Sequence, residues 1–128
     1  MTPDCTDQPP EQLLEGIAQF NRGAYFDCHE TLEELWAGSR PPVRDLYQGV
    51  LQIAVALYHL ENGNYTGALF LFRKGTELLR HVAPVCMGVD VQSLMDGAGA
   101  VSASLEAHGP DGMDRVPRAL FPRVRMLF

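Results

Sequence analysis

His29, Glu33 and Trp36 stand at i, i+4 and i+7 in the run Phe20-Asn-Arg-Gly-Ala-Tyr-Phe-Asp-Cys-His-Glu-Thr-Leu-Glu-Glu-Leu-Trp36. On a helix that spacing sets them in one line along the surface. An imidazole held against a carboxylate can take up and return a proton, and an indole beside it supplies an aromatic wall. The line borders an apolar stripe of Tyr25, Cys28, Leu32 and Leu35, while Asp27, Glu30 and Glu34 point away from it. A second unusual set follows in the segment 43–61, which is aliphatic except along Asp45, Gln48, Gly49, Gln52, Ala56 and His59. Between Asp45 and Glu61 there is no charged side chain. A strip in open water would carry Lys or Glu, so amides beside small residues predict a buried polar seam. A buried amide needs partners, because leaving it unsatisfied costs about 1–3 kcal/mol. We expect His29 and Glu33 to face this seam across a helix–helix interface.

Three uses of such a seam follow. In the first it is structural: His29 bonds Glu33 or a glutamine, Trp36 covers the group, and the network fixes helix register. In the second it lines a small-ligand cavity, with amides from Gln48 and Gln52, a proton couple from His29 and Glu33, and an aromatic wall from Tyr58 or Trp36. In the third, His29, Glu33 and His59 hold a divalent ion, as in a metal-dependent hydrolase. The spacing argues against the third, since the second histidine of H-E-x-x-H is missing and no E-x-x-H repeat is present. Nucleophilic catalysis lacks its motifs as well: there is no G-x-S-x-G elbow and no Gly-rich phosphate loop, and Cys28 directly precedes His29 and so points elsewhere. His81 falls in the last turn of a predicted helix, where a cation suits the dipole, and His108 falls in a loop. No cofactor and no particular reaction is predicted.

The elements that must position these residues are helical. Apolar residues recur with helical period over Glu11–Asn21, from about Ala24 to Ala37, over Val43–Glu61, and from Asn64 or Tyr65 to about Val82. Gly23, Gly38-Ser-Arg-Pro-Pro42, Asn62-Gly63 and Pro84 punctuate them. Asp90 is a plausible N-cap for a weaker fifth helix through Leu94, Val101 and Leu105, softened by Gly97 and Gly99. No strand is predicted. Phe20-Asn-Arg-Gly-Ala-Tyr25 is echoed by Leu60-Glu-Asn-Gly-Asn-Tyr65, and Cys28 and Leu32 by Ala68 and Phe72, which predicts two helical hairpins of similar design. The second resembles the hairpin of a tetratricopeptide repeat, without the full signature. The expected architecture is an all-α, compact bundle of about five helices, built from two αα-hairpins plus a C-terminal helix and an irregular apolar tail. Residues 1–10 are expected to be flexible, 11–107 to form the bundle, and 108–128 to dock on it or on a partner chain.

With 128 residues, 46% of them hydrophobic and 20% charged, the chain fits one globular domain. A net charge of -6 excludes partners held by their phosphates, both nucleic acid and anionic membrane surfaces. The longest apolar stretch, Val50–Leu60, is interrupted by Gln52 and His59 and is too short for a membrane span. The acidic, proline-bearing start does not read as a signal peptide, so a soluble cytoplasmic protein is expected. Cys5, Cys28 and Cys86 are odd in number and widely spaced, which predicts reduced thiols, Cys28 in the core. Acids crowd the N-terminal third, and Arg115, Arg118, Arg123 and Arg125 lie in the tail, so the two could attract. Phe70, an aromatic among polar neighbours, is expected either under the tail or in a homodimer interface, and we expect a homodimer. A small molecule or a protein partner remains open, the latter making the chain a helical-hairpin interaction module.

Three motifs in order, F-N-R-G-x-Y-F-D-C-H-E-T-L-E-E-L-W, R-D-L-Y-Q-G-V-L-Q-I-A-V-A-L-Y-H-L and G-N-Y-x-G-A-L, resemble domain-of-unknown-function family 309 of bacteria and archaea. The resemblance covers roughly Leu13 to Leu79. It implies an all-helical cytosolic bundle with no settled activity. The family's motif positions fall on Gly23, Tyr25, Phe26, His29, Glu30, Leu32, Glu33, Trp36, Gln48, Gly49, Gln52, Ala54, His59, Gly63 and Ala68. Cys28 departs from the alanine usual there.

Overall fold

A computed structural model describes residues 2–128. Five helices follow in order: α1 (Glu11–Asn21), α2 (Tyr25–Ala37), α3 (Val43–Glu61), α4 (Tyr65–Arg80) and α5 (Val91–His108). They pair as two hairpins, α1–α2 and α3–α4, with α5 packed on α4, giving an all-α bundle. Both hairpins turn on a glycine in the left-handed region, Gly23 at φ 81° and Gly63 at φ 76°, a conformation that costs a residue with a Cβ. After each turn the next helix starts at a tyrosine. Asn64 caps α4 by accepting a hydrogen bond from the Gly67 N–H at 2.9 Å.

The echo between the hairpins extends further than the motifs suggested. At a constant offset of 40 positions, buried Leu13, Gly16, Ile17 and Phe20 of α1 correspond to buried Ile53, Ala56, Leu57 and Leu60 of α3. In each hairpin the first helix presents this stripe to the second.

α3 is the central element, with α2 and α4 on its two sides. Trp36 meets Arg44 and Phe26 meets Tyr58, so α2 runs antiparallel to α3. Asp45 meets His81 and Gly49 meets Gly75, so α4 does the same. The α3–α4 crossing is set by that glycine pair: a Cβ on Gly49 would fall 2.6 Å from the Leu79 side chain, and one on Gly75 2.7 Å from Ile53. Gly49 and Ala56, placed in the polar seam by sequence, therefore belong to the core. The rest of the strip stays half-buried at Asp45, Gln48, Gln52 and His59.

Two short antiparallel strands, β1 (Val85–Cys86) and β2 (Val89–Asp90), interrupt the helices where none was expected. Their turn puts Met87 at φ 51° and Gly88 at φ 77°, the two positive values of a primed hairpin turn. Helical period cannot show a strand of two residues. Asp90 caps α5 by accepting from the Ser93 N–H.

Both ends of the chain gather on this hairpin. The Met87 N–H donates to the Cys5 carbonyl at 2.8 Å, and Cys5 and Cys86 form a disulfide. The expectation of reduced thiols at Cys5 and Cys86 is thus corrected: spacing along the chain says nothing about an N-terminal arm that returns to residue 86. Cys28 is the free, buried one. At the other end Met126 bridges Val89, and the Leu127 N–H donates to the Gly88 carbonyl at 2.7 Å. Between these, Asn21 clamps the tail from both sides of Val124, donating to its carbonyl at 3.0 Å and accepting from its N–H at 2.8 Å. Arg118, in a short 3-10 turn (Arg118–Leu120), pairs with Glu61 at 2.7 Å. None of this covers Phe70, which stays 52% exposed.

Candidate binding face

Helix α2 carries Phe26, His29 and Glu33 at i, i+3 and i+7 on the edge that borders α3. The His29 Nε2 and a Glu33 carboxylate oxygen lie 3.0 Å apart, with 32% and 54% of their side chains exposed. The Phe26 ring packs at 5.9 Å from the His29 ring and edge-on to Tyr58 at 5.7 Å. Tyr58 stacks on His59 at 6.2 Å, and the His59 Nδ1 lies 3.4 Å from the Asn64 amide. Trp36 sits one turn beyond Glu33 under the Arg44 guanidinium, which lies 5.0 Å from its ring centroid. Its buried Nε1 has no hydrogen-bond partner among the described residues.

Gln48 and Gln52 open the other way. They line a groove of about 500 Å³ between α3 and α4, walled by Phe70, Leu71 and Leu78 and rimmed by Lys74, Glu77, Arg80 and His81. The Gln52 Oε1 is buried and unpartnered. His81, assigned by sequence to the helix dipole, instead holds Asp45 at 2.9 Å.

The seven candidate residues therefore do not converge on one cavity. His29, Glu33, Trp36 and Tyr58 form the α2 side of a face, and Gln48, Gln52 and His59 its central ridge on α3, the two glutamines opening toward α4. The seam exists as a half-exposed ridge rather than a closed pocket, because α2 and α4 flank α3 without meeting over it. Three residues belong to this face beside the candidates. Phe70 and Phe26 are 52% and 57% exposed, and Lys74 lies 5.8 Å from the Phe70 ring. Phe26 shares the helical line of His29 and Glu33, a signal the sequence offered. Lys74 is the only lysine of the chain, which its position in a polar stretch did not make conspicuous.

Among the described residues no three His, Cys, Asp or Glu side chains converge as a metal-binding group. Burial pushes the Cys28 thiol up to about 12, so it stays protonated and unreactive at neutral pH. Burial also raises Tyr25 and Tyr47, the latter with its hydroxyl against the Met87 sulfur at 3.5 Å. No helix among the described residues is long and apolar enough to cross a membrane.

The segment that carries this face is matched by known proteins. Residues 13–71, from α1 into the first half of α4, match the family described as Domain of unknown function (DUF309). "Uncharacterized protein YpuF" of Bacillus subtilis (strain 168) is 34% identical over 101 residues, covering 76% of this chain and 58% of that protein. An "Uncharacterized protein" of Aquifex aeolicus (strain VF5) is 33% identical over 55 residues, 42% of this chain and 16% of its own length. The chain thus spans little more than half of the first relative and a small part of the second. No solved structure matches it.

Proposed function

We propose that this chain is a helical-hairpin interaction module whose docking surface is the α2–α3–α4 face, taking a helical surface of another polypeptide laid lengthwise on α3. One observation carries the reading. Asp45, Gln48, Gln52, Val55, His59 and Asn62 follow one another at steps of three and four residues along α3 and its C-cap, so they make one continuous outward line. That ridge is half-buried for most of its length, and Phe26 and Phe70 stand exposed on either side of it. A helix face meant for water would carry charges here, and between Asp45 and Glu61 this one has none.

The test is a photo-reactive residue at Val55, with Glu30 on the outer side of α2 as the control, in cells making the chain at native level. A discrete cross-linked product from position 55 and none from position 30 is the expected result. Equal background at both positions would refute the module.

A small-ligand reading keeps one specific support, the 500 Å³ groove lined by Gln48 and Gln52. It requires a donor-bearing metabolite to raise the melting temperature in a screen of small metabolites, and Gln52→Leu to abolish that rise. Action in the cytoplasm belongs to the same proposal. There the glutathione pool would hold Cys5 and Cys86 as thiols, and the link would close under oxidising conditions.

A further inference from the structure

The occupant of this face, we infer, is a second copy of the same chain, related by a two-fold axis parallel to α3, an assignment that rests on the interaction-module reading above. The ring contact of Phe26 with Tyr58 and the stacking of Arg44 on Trp36 fix the height of α2 along α3. They put Glu33 level with the Gln48–Gln52 part of the ridge. On the other side, the Gly49–Gly75 crossing puts Lys74 at that same level, and Lys74 shares a groove with Gln48 and Gln52. Toward the α3 C-terminus, His29 one turn and Phe26 two turns from Glu33 on one rim are matched by Phe70, one turn from Lys74, on the other. A two-fold axis along α3 lays the α2 rim of one copy over the α4 rim of its partner. Glu33 then meets Lys74, and Phe26 with His29 meets Phe70, twice per dimer. An axis across the helices would instead oppose each rim to itself, lysine on lysine and glutamate on glutamate.

The same symmetry brings the two α3 ridges together in parallel, so each Gln52 faces its own counterpart. Polar residues at such seam positions fix register and partner number in parallel helix pairs. Size also fits. Nineteen residues make α3 about 28 Å long, and three helices 8–10 Å apart make a face about 25 Å wide, so about 700 Å² in projection against ~800 Å² per partner in a standard interface.

Charge reversal tests both the partner and the axis. By light scattering at micromolar concentration the parent chain should show twice 14.1 kDa. E33K alone and K74E alone should each weaken the dimer, raising the dissociation constant about tenfold or more, because each homodimer then opposes like charges twice. Mixing the two variants should restore the dimer, since the mixed pair has both contacts attractive. Both side chains are at the surface, and helical circular dichroism confirms that the variants stay folded. A monomeric parent chain overturns the inference, as does a dimer indifferent to both reversals or unrestored by mixing. The module reading would outlive a monomeric parent if position 55 still cross-linked to a different polypeptide, and would fall if it cross-linked to nothing.

Discussion

The disulfide between Cys5 and Cys86 makes a stability difference whose size can be worked from the loop it closes. Removing it with the pair C5S and C86S leaves the helices intact and releases the unfolded chain from a closed loop with a sequence separation of 81 residues. In the chain-entropy description a loop of that size restricts the unfolded state by about 15 cal/mol/K, or about 4.5 kcal/mol at 25 °C. The folded variant recovers part of this. Without the link, the arm is held to the hairpin chiefly by the Met87 N–H on the Cys5 carbonyl, and its fraying returns entropy to the native state. A net loss of about 3 kcal/mol is expected. With about 2.1 cal/mol/K of unfolding entropy per residue over 128 residues, that lowers the melting temperature by about 11 °C. Calorimetry of the oxidised parent against the variant gives the number, and thiol titration gives the premise. Unfolded without reductant, the parent should show the single thiol of Cys28, and after reduction all three. A melting difference below about 3 °C would refute the loop-entropy reasoning, and three thiols without reductant would refute the link itself.

Other outcomes follow from particular contacts. The double substitution G49A/G75A gains about 1 kcal/mol of helix propensity per site but drives a Cβ to within 2.6–2.7 Å of Leu79 and Ile53, and should lose about 2–4 kcal/mol net by urea denaturation. Asn21→Ala removes two hydrogen bonds to Val124 and should cost about 1–3 kcal/mol, with trypsin cutting faster at Arg123 and Arg125. Cys28, Tyr25 and Tyr47 hold their protons more tightly folded than unfolded, so unfolding releases protons in alkali. The Cys28 contribution is fully present below its ordinary 9.0 and is lost as pH rises toward about 12, at about 1.4 kcal/mol per pH unit. Melting temperatures from pH 7 upward should fall in that window, and less steeply in Cys28→Ala.

Helical period carried most of the architecture. Glu11–Asn21 and Val43–Glu61 begin and end where the apolar spacing and the proline and glycine punctuation put them. Asp90 caps the fifth helix through its side chain, as its type and place implied. What escaped was long-range. Nothing in the residues near Cys5 indicates that it returns to Cys86, and nothing local in Met87-Gly88 outweighs the prolines and helices around it. Around the candidate residues, local pairs were legible more than the shape they make. His29 does pair with Glu33, and Gln48 and Gln52 do share a polar edge, but which side of α3 each occupies depends on α2 and α4 lying on opposite flanks. A helical wheel shows one helix at a time. It cannot show that the ridge between two neighbours is left open.

The convergence of both chain ends on residues 85–90 has a mechanical corollary. Pulled from its termini in the oxidised state, the protein passes tension from Cys5 straight through the sulfur bridge to Cys86, so residues 6–85 and all four helices within them lie outside the covalent load path and are loaded only through side contacts such as Asn21 with Val124. Only α5 and the tail lie in the force path. A single-molecule stretch would release those two alone, and the length of a further step on adding reductant would measure the sheltered loop.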